Sequence, residues 1–89
     1  MSRVESFVVD SQQCAALFRL GRDVEAGLVM IELIAAMQAS FDPMPQVTQQ
    51  QWVLLLGQMF ECQEAQNWLA LADYLEYELV RLLRDSLSI

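Results

Sequence analysis

Histidine and lysine are absent from the 89 residues, and all five cations are arginine. Without histidine, no ordinary side chain titrates near neutral pH, and the commonest metal ligand is missing. Without lysine, Schiff-base chemistry and the phosphate-binding lysine of a P-loop are excluded. Glycine occurs only at Gly21, Gly27 and Gly57, too far apart for a loop that cradles phosphate. The two cysteines, Cys14 and Cys62, form no CxxC pair and are expected to be reduced, buried thiols. Acids in tandem loops and Glu-x-x-His pairs are also missing, so no metal site is expected. From these absences we expect no catalytic residue, no cofactor and no small-molecule substrate.

Cations are scarce against twelve acids, and the net charge is −7. A nucleic-acid backbone would be repelled, and so would an anionic membrane surface. The opening stretch MSRVESFVV is broken by Glu5 and does not read as a signal peptide. The longest apolar run, Gly27 to Met37, contains Glu32 and falls short of the roughly 20 residues a membrane span needs. A cytoplasmic protein with no membrane partner is the expectation.

Apolar residues, by contrast, are plentiful. They make up 55% of the chain, above the roughly 45–50% of ordinary globular sequences. A domain this small buries only about 60–65% of its unfolded surface. Part of the excess must stay outside, where a contiguous patch marks an interface. A homodimer or a stable protein partner is therefore expected.

The periodicity is helical throughout, with no alternating strand pattern. We expect an all-α fold: a small antiparallel bundle of four helices over about 3–20, 24–39, 49–63 and 68–86, built as two helical hairpins. It would form one domain, with the hairpins separated by a linker at 40–47 that carries Pro43 and Pro45. Ser2 with Glu5 reads as a capping box, Gly21 as a C-terminal cap, and Asp23 and Asn67 as N-caps. Thr48 with Gln51 reads as a second capping box, stapled by Val47 against Trp52. The halves align with Asp23 on Asn67, a shared layout without a sequence repeat. The second helix, polar mainly at Glu25, Glu32 and Gln38, is expected either at the centre of the core or at a dimer seam. Gly27 in its interior points to close approach by a neighbouring helix.

The stretch WLALADYLEYEL, residues 68–79, holds three acids in an apolar run. On an α-helix, Trp68, Leu71, Ala72, Leu75, Leu79 and Leu82 share one stripe. Asp73, Glu76 and Glu78 lie off it, as solvated sides rather than a converging carboxylate cluster; Glu78 and Arg81 are spaced for a weak pair. Tyr74 and Tyr77 flank the stripe and are candidate interface residues, since tyrosine joins an apolar ring to a polar tip. Met30 and Met37 are further candidates, because methionine repacks easily in an adaptable groove. Trp52 and Trp68 are expected as core anchors.

The function expected is a non-catalytic protein-binding module, an adaptor or chaperone-like subunit acting through an apolar helical surface. In overall build, short, acidic and helical, the chain resembles the small acidic chaperones of bacterial secretion and flagellar export, which implies a protein client. The alternatives are a self-associating structural dimer with no separate client, or an acidic regulator that blocks a basic partner.

Overall fold

A computed structural model describes residues 2–87. It is all-α: α1 (Arg3–Arg19), α2 (Asp23–Phe41), α3 (Gln46–Glu64), α4 (Trp68–Asp73), a π-helical turn (Tyr74–Glu78) and α5 (Leu79–Leu87). The last three run on as one fourth helix, because Tyr74 and Leu79 keep right-handed helical dihedrals at the junctions. No strand occurs among the described residues.

The element at the centre is α1, not α2. It packs against α2 on one side and against α4, the π-turn and α5 on the other, while α3 closes over the fourth helix. Its buried side is Phe7, Val8, Ser11, Cys14, Ala15 and Phe18, small residues in the middle and aromatics towards both ends. The expectation of a central α2 fails for a geometric reason. An apolar composition does not place a helix inside when only one of its sides meets other helices.

Local signals set most of the boundaries. Ser2 Oγ accepts from the Glu5 amide at 3.1 Å, and Asn67 Oδ1 accepts from the Ala70 amide at 3.3 Å. Both satisfy amides that the first helical turn leaves free. At the end of α1, Gly21 adopts φ +78°, with Arg22 N–H bonding the Leu17 carbonyl at 3.0 Å and Gly21 N–H the Phe18 carbonyl at 3.1 Å. This is a Schellman closure. The end of α3 repeats it with Gln66 at φ +56°, Asn67 N–H on Cys62 and Gln66 N–H on Gln63. Gln66 thus plays the part of Gly21, and Asn67 that of Arg22. The alignment of Asp23 on Asn67 is therefore off by one position, and α2 starts at Asp23 after a cap at Arg22 that makes no side-chain bond.

The linker between α2 and α3 is shorter than the prolines imply. Pro45, at φ −56° and ψ 155°, leads straight into α3, whose first residue is Gln46. Thr48 is then interior to the helix, Val47 is exposed, and the expected staple to Trp52 does not form. A polar clasp replaces it. Gln49 donates to the Asp42 carbonyl at 2.6 Å, Gln38 to Asp42 Oδ1 at 2.8 Å, and Trp52 Nε1 to Gln38 Oε1 at 2.8 Å. Phe41 stacks on Trp52 at 4.4 Å between centroids, and Phe18 stacks on Trp68 at 5.6 Å. The first pair ties α2 to α3 and the second ties α1 to α4.

The π-turn re-phases the fourth helix. Leu79 N–H bonds the Tyr74 carbonyl, an i→i+5 closure that takes up one extra residue. Before it, the buried side is Leu71, Ala72 and Leu75, as the α-helical stripe requires. After it, Leu79, Val80 and Leu83 are buried, and Leu82 is only half-buried. Extending an unbroken α-helix from Trp68 puts Leu82 in the core in place of Leu83.

Two outcomes test this description. Leu83→Ala should cost about 2–5 kcal/mol of unfolding free energy and Leu82→Ala about 1 kcal/mol, read by urea denaturation. Equal costs would remove the π-turn. Gln66→Gly should gain about 1 kcal/mol, because glycine takes the left-handed conformation without the Cβ penalty. Its melting temperature should rise by about 4–8 °C.

Candidate protein-binding surface

The acids singled out in the fourth helix divide by partner. Arg19, at the end of α1, donates to Asp73 at 2.7 Å and also to Glu76, joining α1 to the fourth helix. The arginine is held charged even more firmly than usual, first by the hydrogen bond it donates to Asp73 and then by Glu76. Asp73 and Glu76 therefore do converge, contrary to their expected role as free solvated sides, but on a cation that neutralises them. Spacing along one helix could not reveal Arg19, which lies far away in sequence. Glu78 remains exposed, and its pairing with Arg81 does not form among the described residues.

The two cysteines stand apart from one another as free thiols. Cys14 is fully buried, and its thiol donates to the Ala26 carbonyl of α2 at 3.4 Å. Burial pushes its pKa up to about 11, so the reactive thiolate is suppressed. Cys62 is half-buried and unpaired. Ser11 Oγ is buried without a hydrogen-bond partner, a local cost of about 1–3 kcal/mol. Among the described residues no group of three or more Cys, Asp or Glu is arranged to hold a metal ion.

The candidate interface residues are scattered by the fold. Met30 and Met37 are completely buried in the core beside Phe41 and Leu33, where no partner reaches them in this conformation. Their spacing places them on the inward side of α2. Tyr74 is half-buried against the core, and Tyr77 is 61% exposed. Trp52 lies fully in the core, and Trp68 packs at its edge.

The exposed apolar surface lies elsewhere. On α2, Val24, Leu28 and Ile31 are 77%, 64% and 57% exposed, and Ala35 is exposed in line with them. Their separations of four, three and four residues follow the heptad seam of a helix that packs on another helix. Inward, α2 buries Ala26, Gly27, Met30, Leu33, Met37 and Phe41. The helix is thus apolar on two sides and has only one of them covered. Gly27 does not mark close backbone contact: a Cβ there would meet only the Gln63 side-chain amide, at an ordinary 3.5 Å. By length and composition α2 is also apolar enough to cross a membrane, with mean hydropathy 1.5. The run Gly27 to Met37 underestimated it, because the helix extends through apolar residues on both sides of Glu25 and Glu32. Its packed inner side fits the core helix of a globular domain equally well.

A second exposed group lies on α3, at Val47, Val53, Leu54 and Phe60, where the helix carries no charge before Glu61. Gly57 sits among them with open space above it. Heptad spacing on α2 was readable in the sequence; which of its two apolar sides faces out was not.

Comparison with known proteins finds no matching family model, no similar curated protein and no similar solved structure.

Burial of Cys14 yields a pH prediction. The folded state keeps the thiol proton up to about 11, while the unfolded chain releases it near 9.0. The native state therefore binds more protons between these values, and stability falls as pH rises above 9.0, by about 2 kcal/mol at pH 11. Below 9.0 this contribution is flat. Denaturation of the wild type and of Cys14→Ala across this range should show the extra slope in the wild type alone. At pH 8 a thiol reagent should label Cys62 quickly and Cys14 only on unfolding.

Proposed function

We propose that this chain is a non-catalytic protein-binding module, adaptor-like or chaperone-like, working in the cytoplasm through an apolar helical surface. One observation carries the reading: α2 packs one apolar side inward and leaves a second, regularly spaced apolar stripe in water. Exposing Val24, Leu28 and Ile31 together forgoes roughly 1.5–3 kcal/mol of burial per side chain. A covering chain recovers that free energy, which favours a partner over a solitary existence.

The arrangement we favour is two helical hairpins, α1 with α2 and α3 with the fourth helix, closed by equivalent Schellman turns at Gly21 and Gln66. The hairpins pack through α1, and the polar clasp around Asp42 holds the linker between them. Acids without partners then keep the apolar surface soluble until it is covered. A self-associating dimer is supported by a different observation, the uncharged face of α3 around Gly57, across which two chains of net charge −7 could meet without apposing acids.

Native mass spectrometry of the tagged chain purified from its own cells tests the proposal. A defined complex is expected, either with another protein or with a second copy. It should dissociate when Leu28→Asp and Ile31→Asp, or Val53→Asp and Leu54→Asp, are introduced with the helical circular dichroism unchanged. A single species at the mass of one tagged chain, 10.2 kDa plus the tag, that stays monomeric and unaccompanied would contradict it.

A further inference from the structure

Beside the exposed stripe of α2 runs an open groove of about 300 Å³ between α1 and α2. Phe7, Leu17, Val29 and Leu33 give it an apolar floor, and Asp10 and Glu32 line it from the two helices. Neither acid has an ion-pair partner among the described residues. Glu25, one turn before Leu28 and Val29, lies on the same edge of α2 and pairs only with exposed Arg22, at 2.9 Å. Arg3 lies over the Phe7 ring, 5.3 Å from its centroid. Asp10 and Glu32 thus place two acids without an ion-pair partner among the described residues beside the apolar stripe, and the seam itself is uncharged.

We propose that this surface, the Val24–Leu28–Ile31–Ala35 seam with the Asp10/Glu32 groove, docks an amphipathic helix of a partner protein that carries arginine or lysine along one edge. The inference rests on the protein-binding reading and adds the place and the chemistry of the partner. Heptad spacing selects a helix over an extended strand, because only a helix returns side chains to one line at alternating steps of three and four. Charge selects a basic edge, since Asp10 and Glu32 would both meet it. A second copy of this chain meets the seam poorly. Its own α2 has no cation from Asp23 to Phe41, so two seams in contact would bring further acids beside the first set. An anionic lipid surface is repelled by the same edge.

The test uses the full chain and two fluorescent synthetic helices. Both carry leucine at heptad positions a and d; one has arginine at e and g and the other glutamate. Fluorescence anisotropy should show the basic helix binding at least about tenfold more tightly than its acidic twin, a difference of about 1.4 kcal/mol. Leu28→Asp with Ile31→Asp should abolish binding. Asp10→Arg with Glu32→Arg should reverse the preference between the probes. All four positions except Asp10 lie on the outer side of α2, and Asp10 is exposed, so circular dichroism should be unchanged. Equal affinity for the two probes, or no affinity for either, overturns the inference. So does a concentration-dependent doubling of mass that Ile31→Asp removes, which would make a second copy the occupant, or capture by phosphatidylcholine vesicles. If the native complex survives Leu28→Asp with Ile31→Asp, this location falls and the binding-module reading stands. Finding no native complex at all removes both.

Discussion

Interior space is the quantity this chain has too little of, and the fold is a particular way of dividing it. Four helices of these lengths enclose one layer of core around α1. Trp52, Phe18, Phe41, three methionines and a set of leucines are its largest buried side chains. Once those places are taken, the second apolar side of α2 and the outer face of α3 stay exposed among the described residues. The exposure of Val24, Leu28 and Ile31 is thus a consequence of packing geometry and not a local accident. Covering them from inside would require a fifth helix that the described residues do not contain.

The position of α1 makes this division stable. Its two ends are tied differently: Phe18 stacks on Trp68 and Arg19 reaches Asp73 and Glu76, while near the start Glu5 meets Arg84 only loosely, at 3.9 Å. The Arg19 contacts are partly exposed, so they position the π-turn more than they stabilise the fold. The π-turn in turn decides which leucines of α5 reach the core. A single extra residue in one turn moves Leu83 into the core and leaves Leu82 half-buried at its edge.

Much of this was legible in the residues alone. Helical class, the four-element count, Ser2, Gly21 and Asn67 as caps, and both tryptophans as anchors follow from periodicity and capping chemistry that act within a few residues. Several of the failures involve information that arrives from elsewhere in the chain, and others, such as the start of α3 at Gln46 in place of a box at Thr48, are local. Arg19 comes to Asp73 and Glu76 across the whole fold, the π-turn answers to the surface of α1, and Gln66 takes a conformation its residue type does not advertise. The same holds for the surface. Val24, Leu28 and Ile31 are indistinguishable in sequence from Met30, Leu33 and Met37, since both sets repeat at helical spacing. Only the position of α1 tells the inner set from the outer, so methionines chosen as contact candidates turned out to be core.

Solvent paramagnetic relaxation of the methyl groups, measured on the dilute single chain, asks most directly whether the apolar excess resides on the outer side of α2. The methyls of Val24, Leu28 and Ile31 should relax strongly, as open side chains do, while those of Leu71, Leu79 and Leu83 stay shielded. Shielding of the three α2 residues to the level of Leu83 in a confirmed monomer would show that the chain hides them itself, and the surplus on which the account is built would not exist.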